Sequence, residues 1–205
     1  MLPEVARDLS GEAAYNVIER SFTEARTHFA WRPIGVDDIA LRSAYSIAKF
    51  GPTASNSSPM RLVFVKSKEG KERLKAALFP GNVDKTMAAP VTAIVGYDIN
   101  FHEHLPKLFP HNSEPQKFFT SNPDIAARAA FRNSTLQGAY LLVALRMVGL
   151  DCGPMSGFKH DVVDSEFFPN SSVKSNFLIN IGHGDGAKLF PRGPRFEFDE
   201  IARFV

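Results

Sequence analysis

Phe50-Gly51-Pro52-Thr53-Ala54-Ser55-Asn56-Ser57-Ser58-Pro59 is the strongest punctuation in the chain. A helical pattern runs into Gly51-Pro52 and has to stop there, because the residue before a proline is pushed out of the helical region. After Pro59 the chain turns into Arg61 to Val65, RLVFV, a short β-rich run. Between the two lie small residues, most carrying a hydroxyl or an amide. Such a loop cannot fill a core, but it lets backbone N–H and C=O groups come close to a ligand. Taken alone it is an ordinary helix-to-strand connection; the rest of the chain gives it a site to serve.

Upstream, residues 1–10 read as loose. Glu12 to Thr27 places Ala14, Val17, Ile18, Phe22 and Ala25 at helical spacing. Asp37 reads as the N-cap of a helix from Asp38 to Lys49 with Ile39, Tyr45 and Ala48 as its stripe. Downstream, Lys71 to Phe79 reads as a short helix broken by Pro80-Gly81, Asn82 to Ala88 as a turn or two more, and Val91 to Tyr97 as a second strand. Phe101 to Phe119, rich in Phe and Pro, reads as short helices or a lid rather than core. The longest helix has Asn122 as cap, Pro123 in its first turn, Asp124 to complement the dipole and Gly149 as stop. From Leu136 to Val148 it is apolar nearly all round, so it is expected to be buried. Asp151 to Phe158, DCGPMSGF, reads as a second loop of small residues, and Lys174 to Ile181 as a third strand. Helices outnumber and separate the strands, which predicts an α+β fold: one domain, residues 1–205, with helices covering a small sheet.

Composition narrows the function. The 205 residues are 44% hydrophobic and 22% charged, which is ordinary for a folded domain. Lys+Arg 24 against Asp+Glu 22, with no basic block, points away from nucleic acid and anionic membranes. No apolar run approaches the ~20 residues of a spanning helix, and no apolar leader is apparent. Cys152 is the lone cysteine, so an internal disulfide is impossible and a reducing, cytoplasmic setting is expected. The 18 Phe residues suggest that some apolar surface is buried against a second subunit.

Familiar catalytic patterns fall away. Gly153-Pro154-Met155-Ser156-Gly157 is not a nucleophile elbow, since no strand is expected directly before it. Cys152 follows a helix C-terminus, whose dipole raises a thiol pKa. The six histidines show no metal spacing, so no metal is expected. Gly182-x-Gly184-x-Gly186 lacks the lysine of a phosphate loop and opens no amphipathic helix. What remains is a dispersed set suited to anions and amides: Arg26 and Thr27, Asn82 and Lys85 on one face at i, i+3, and Arg192 and Arg195 in a Pro/Gly-rich tail. With two small-residue loops, they fit a phosphorylated cofactor.

In this order the residues resemble the flavin-dependent nitroreductase family from Arg26 to the C-terminus. The family's R-S-x-R-like run resembles Arg26-Thr27-His28-Phe29-Ala30-Trp31, and its P-S-x-x-N-x-Q-P resembles Pro52 to Pro59. Its N-x-x-K turn is matched by Asn82 and Lys85, its P-x-x-G-F loop by Pro154, Met155, Ser156, Gly157 and Phe158, and its last glycine and basic tail by Gly182-His183, Arg192 and Arg195. GPMSGF, RNSTLQGAYLLVALRMVGLDCGPMSG and KSNFLINIGHGD resemble its malonic-semialdehyde reductase branch, known from pyrimidine utilisation.

The resemblance implies FMN, NADH or NADPH as co-substrate, a central, mostly antiparallel sheet flanked by helices, and an intertwined homodimer with a tail (residues 187–205) crossing to the partner. It implies ping-pong hydride transfer at flavin N5, with malonic semialdehyde reduced to 3-hydroxypropionate. A broad nitro- or quinone reductase and a non-catalytic flavin-binding dimer are the alternatives. For the site it implies Arg26, Thr27, His28, Asn82, Lys85, Pro154, Met155, Ser156, Gly157, Arg192 and Arg195 around the cofactor. Pro52, Thr53, Ala54 and Asn56 would reach the partner's flavin. Ser156, Gly157 and Lys85 are its catalytic set: Lys85 is to stabilise negative charge near N1 and O2, and the backbone N–H of Ser156 is to donate to N5. Two positions depart from the family. Phe29 stands where a basic residue is expected near the flavin, which puts more weight on Lys85, and Ser58 stands where glutamine is usual.

Overall fold

The computed structural model describes residues 12–205, so the expectation for residues 1–10 lies outside the described residues. Among the described residues the sheet has four strands in the order β1-β2-β4-β3: β1 Met60–Val65, β2 Val91–Asp98, β3 Asp151–Met155 and β4 Val173–Gly182. Every pairing is antiparallel. Strand β2 is covered on both faces, and Val91, Thr92, Ala93, Ile94 and Val95 are fully buried, which is why its sequence is continuously apolar rather than alternating.

Successive side chains of a strand point to opposite faces, and two cores follow from that alternation. Val91, Ala93 and Val95 of β2 join Ile179 and Ile181 of β4 beneath the long helix Pro123–Met147, which contributes Leu141, Ala144 and Leu145. Ile94 and Leu178 face the other way, onto Leu74, Leu78, Phe158 and Val163. A smaller third cluster joins Phe101 and Leu105 to Ala126 and Ala130 of the long helix. Phe101 to Phe119 does form short helices, Leu105–Leu108 and Glu114–Ser121, but Phe101 is fully buried in edge contact with Phe119, so its start is core and not lid.

Several expectations are corrected by packing. The first helix, Glu12–Ile18, winds into a π-helical turn, Glu19–Thr23, and stops four residues before the expected end. It stops because Thr27 onward is stapled to the sheet: His28 N–H donates to Cys152 O at 3.0 Å and Arg32 N–H to His183 O at 2.8 Å. Helix Asp38–Ala48 is capped by Asp37, whose side chain accepts Ile39 N–H at 2.8 Å, but its inner face is Leu41, Ala44 and Ala48. Ile39 and Tyr45 of the expected stripe stand exposed, because close approach to the long helix favours alanines at the contact.

Pro80-Gly81 does not break a helix; Pro80 opens one, Pro80–Ala88, at the position where its missing N–H costs nothing. The helix before it is Lys68–Lys75, capped by Ser67. Asn122 does not cap the long helix through its side chain, which donates to Phe118 O at 2.7 Å and closes the preceding helix instead. The stop at Gly149 holds, with φ 94°. DCGPMSGF begins as edge strand β3 and becomes a loop only after Met155. The long helix is not buried all round: Phe131, Leu136 and Met147 are exposed on one side.

Candidate active site

The staple that ends the first helix also builds a basic cavity. Arg26 and Thr27 leave the helix at the sheet's edge, and the tail after β4 returns across them. The Arg26 guanidinium donates to Phe190 O, Arg192 donates to Ala25 O at 3.2 Å, and the Phe29 and Phe190 rings stack at 5.1 Å. Phe29, which stands where a base was expected, therefore serves as the seat of the tail. The resulting cavity, about 780 Å³, is lined by Arg26, Arg192 and Arg195 and by Arg146 from the last turn of the long helix. Among the described residues no carboxylate lines it.

Arg146 donates through Nη1 to Ser21 O at 3.0 Å, while its buried Nε has no partner. Four guanidiniums with an orphaned donor and no counter-charge fit a dianionic phosphate, which guanidinium binds bidentately. Within one chain these contacts lay Leu189 to Arg195 against Ala25, Arg26 and Phe29. Along the tail the large apolar side chains Phe190, Phe196, Phe198, Ile201 and Phe204 all stand exposed.

A second constellation joins helix Pro80–Ala88 to the end of β3. Asn82 Nδ2 donates to Gly157 O at 2.7 Å, and Phe79 N–H donates to the same oxygen at 3.1 Å. A Cβ at Gly157 would stand 2.3 Å from Asn82 Nδ2, so a side chain there would displace the Asn82 amide from this bond. Ser156 is exposed directly after the last paired residue of β3. Three residues along from Asn82, the Lys85 carbonyl accepts Trp31 Nε1–H at 3.0 Å, and among the described residues its ammonium enters no ion pair. Trp31 thus ties the Arg26 segment to the Lys85 helix. The His28 side chain turns inward. Its ring is buried against Gly184, where a Cβ would come within 1.9 Å of it, and its Nε2 lies 3.6 Å from Asp151 Oδ1.

The loop after Pro52 is held in an unusual backbone: Ser55, Asn56 and Ser58 all have positive φ, at 52°, 47° and 39°. Left-handed non-glycine residues persist only where their surroundings fix them. Here Asn133 Oδ1 accepts Ala54 N–H at 2.9 Å, Asn56 Nδ2 donates to Leu108 O at 2.8 Å, and Tyr140 OH donates to Pro52 O at 3.2 Å. None of these bonds goes to the arginine cavity or to the Asn82–Gly157 pair. Within one chain, Pro52, Thr53, Ala54 and Asn56 are therefore not gathered with the rest. A smaller cavity beside this loop, about 380 Å³, is lined by Lys49, Ser58, Arg61, His104 and Lys107.

Cys152 is fully buried, and burial pushes its thiol up to about 12, which removes it as a nucleophile. The expected direction holds, but desolvation rather than a helix dipole is its main cause. Among the described residues no helix is long and apolar enough to cross a membrane.

An antiparallel sheet under helices, with a polyarginine cavity and an amide-lined loop at one end, defines the class, and the chain belongs to the nitroreductase family: the family's model matches residues 26–182. A Burkholderia lata protein that carries the provisional name NADH dehydrogenase/NAD(P)H nitroreductase is 56% identical over 188 residues, covering 92% of this chain and 96% of that one. The fold matches that of a provisionally named nitroreductase of Bacillus subtilis with a TM-score of 0.82 at 17% identity, over 93% of this chain and 100% of that one. It also matches a nitroreductase, again provisionally named, from Exiguobacterium sibiricum 255-15, solved in complex with FMN, with a TM-score of 0.77 at 16% identity over 92% of this chain and 97% of that one.

Proposed function

We propose that this chain is an FMN-dependent oxidoreductase that takes hydride from NADH or NADPH and passes it to a small carbonyl compound, malonic semialdehyde, yielding 3-hydroxypropionate. The observation that carries the reading is the convergence of Arg26, Arg146, Arg192 and Arg195 on one cavity without a carboxylate. Such a cavity suits the cofactor phosphate, and the family and the FMN-bound neighbour support that assignment. FMN, when bound, accepts hydride at N5 from the nicotinamide and returns it to the second substrate in a ping-pong cycle.

The chain's own residues supply position and charge. Lys85, without an ion-pair partner, is the cation suited to negative charge at the flavin's pyrimidine edge. The Ser156-Gly157 segment, fixed by Asn82, presents backbone amides beyond β3. The strained loop after Pro52 is rigid enough to serve a second subunit's site, and the exposed apolar side of the long helix with Phe196, Phe198, Ile201 and Phe204 supplies surface for a homodimer. An acceptor bearing a carboxylate is favoured by Lys49 and Lys107 in the cavity beside that loop, where Arg61 is already paired with Asp98, and the malonic-semialdehyde branch is favoured by sequence resemblance.

Comparison of kcat/KM for malonic semialdehyde with that for a nitroaromatic and a quinone tests the substrate. A preference for malonic semialdehyde supports the reading, and a preference for either of the others replaces it with a broad reductase. A bound flavin that stays oxidised with NADH and NADPH leaves only a flavin-binding dimer.

A further inference from the structure

Lys71 is a lysine with only 5% of its surface exposed and no acid to pair with. It stands on helix Lys68–Lys75, and its ammonium donates to Thr86 O at 2.9 Å and Thr92 Oγ1 at 2.6 Å. Thr92 passes its own proton to Asn180 Oδ1 at 2.7 Å, its cross-strand partner, and Asn180 Nδ2 returns to Thr86 Oγ1 at 3.2 Å. Thr86 Oγ1 lies 3.5 Å from Met155 Sδ. The ring is closed and buried, and it joins the two elements that carry the site: helix Pro80–Ala88 with Asn82 and Lys85, and β3 leading to Ser156 and Gly157.

A buried charge without a counter-ion costs stability. Hydrophobic residues of similar volume would hold a fold more cheaply, so the ammonium calls for a role. Among the described residues no other charge acts on Lys71. Lys68, Glu69, Glu72, Arg73 and Lys75 of its own helix are exposed, as are Lys66 after β1 and Asp84 of the facing helix. In β2 Asp98 pairs with Arg61, in β4 Lys174 pairs with Asp164, and Asp151 of β3 accepts Gly184 N–H. Burial alone brings its pKa down to about 8.

We propose that Lys71 is a positioning residue of the cofactor site, its ammonium pinning the last turn of helix Pro80–Ala88 to strands β2 and β4 so that Asn82 and Lys85 stay fixed opposite Ser156 and Gly157. The inference rests on the FMN reading above and deepens it. Titration of apo-protein with FMN, followed by flavin fluorescence, tests it without turnover. Lys71→Met and Thr92→Val each remove one link of the ring. Each is expected to weaken FMN binding roughly ten- to hundredfold, the worth of a charge-assisted hydrogen bond. The double variant is expected to bind no more weakly than the weaker single one, since both act through one network.

The charge itself has a signature that a packing role lacks. Wild-type affinity is expected to fall as pH rises through about 8, and in Lys71→Met this step is expected to be absent. Folded variants that bind FMN with wild-type affinity overturn the proposal. If Lys71→Met does not fold, a wild-type affinity that is flat through that pH range overturns it alone. Wild-type protein that binds no FMN at all sinks the cofactor reading instead.

Discussion

Lys85 and Lys71 are two lysines of opposite kind, and each makes a prediction. Lys85 is half-buried with a free ammonium. If it stabilises charge on the reduced cofactor, Lys85→Ala slows anaerobic reduction by NADH or NADPH by about 2–4 kcal/mol in barrier while flavin content stays near wild type. An unchanged reductive half-reaction removes Lys85 from the mechanism. Lys71 is depressed from 10.5 to about 8 by burial, so the folded state releases its proton before the unfolded state does. Below about 8 both states are protonated and the full desolvation cost is present. Between the two values the unfolded chain binds more protons, and stability rises with pH, by up to about 3 kcal/mol. Thermal unfolding of wild type and Lys71→Met across this range checks the sign: the difference narrows upward in pH, and a constant difference refutes it. At this scale, resemblance pointed to Arg26, Arg192 and Arg195, and the structure brings them together on one cavity. Arg146 was hidden, because a basic residue in the last turn of a helix is already accounted for by the dipole. The inward turn of the His28 ring was not legible, because sequence order cannot say which way a side chain turns, and here Gly184 leaves room for it inside.

Elements were legible where local chemistry decided them and obscure where neighbours did. Gly149 and Asp37 declared their helix ends. Strand β3 did not declare itself, since Gly153 and Pro154 are depleted in strands and tolerated only at an edge, which is where it lies. The inner face of helix Asp38–Ala48 was misread because hydrophobic size points to Ile39 and Tyr45 whereas the long helix selects Ala44 and Ala48. The loop after Pro52 combines both cases: its boundaries were plain, but its three left-handed residues, at about 1–3 kcal/mol each, depend on Asn133 of the distant long helix. Asn133→Ala is expected to cost only about 1 kcal/mol of stability, yet to weaken FMN binding roughly tenfold or more as the loop relaxes. Unchanged FMN affinity in a folded Asn133→Ala protein would mean that this loop serves no cofactor.

For the whole molecule, the open question of sequence was where the surplus aromatic residues go. Three clusters absorb part of them, and others stand exposed: Phe22, Phe50, Phe79, Phe118, Phe131 on the long helix, and Phe190, Phe196, Phe198 and Phe204 in the tail. Within one chain Leu189 to Arg195 line the arginine cavity and residues 196–205 do not, so loss of the latter is expected to spare the proposed phosphate site. Deletion of residues 196–205 is expected to shift the protein from dimer to monomer in light scattering, since obligate interfaces bury ~2,000 Å² or more and rely on apolar anchors. A truncated chain that stays dimeric at the same concentration places the interface elsewhere, on the long helix alone.

The central claim, that the arginine cavity and the Asn82–Gly157 loop together hold a reducible flavin, is tested most directly by the visible absorption spectrum of the purified protein before and after anaerobic NADH or NADPH. The account predicts a yellow protein with about one FMN per chain that bleaches on addition of the nucleotide. Colourless protein that takes up no added FMN would contradict it.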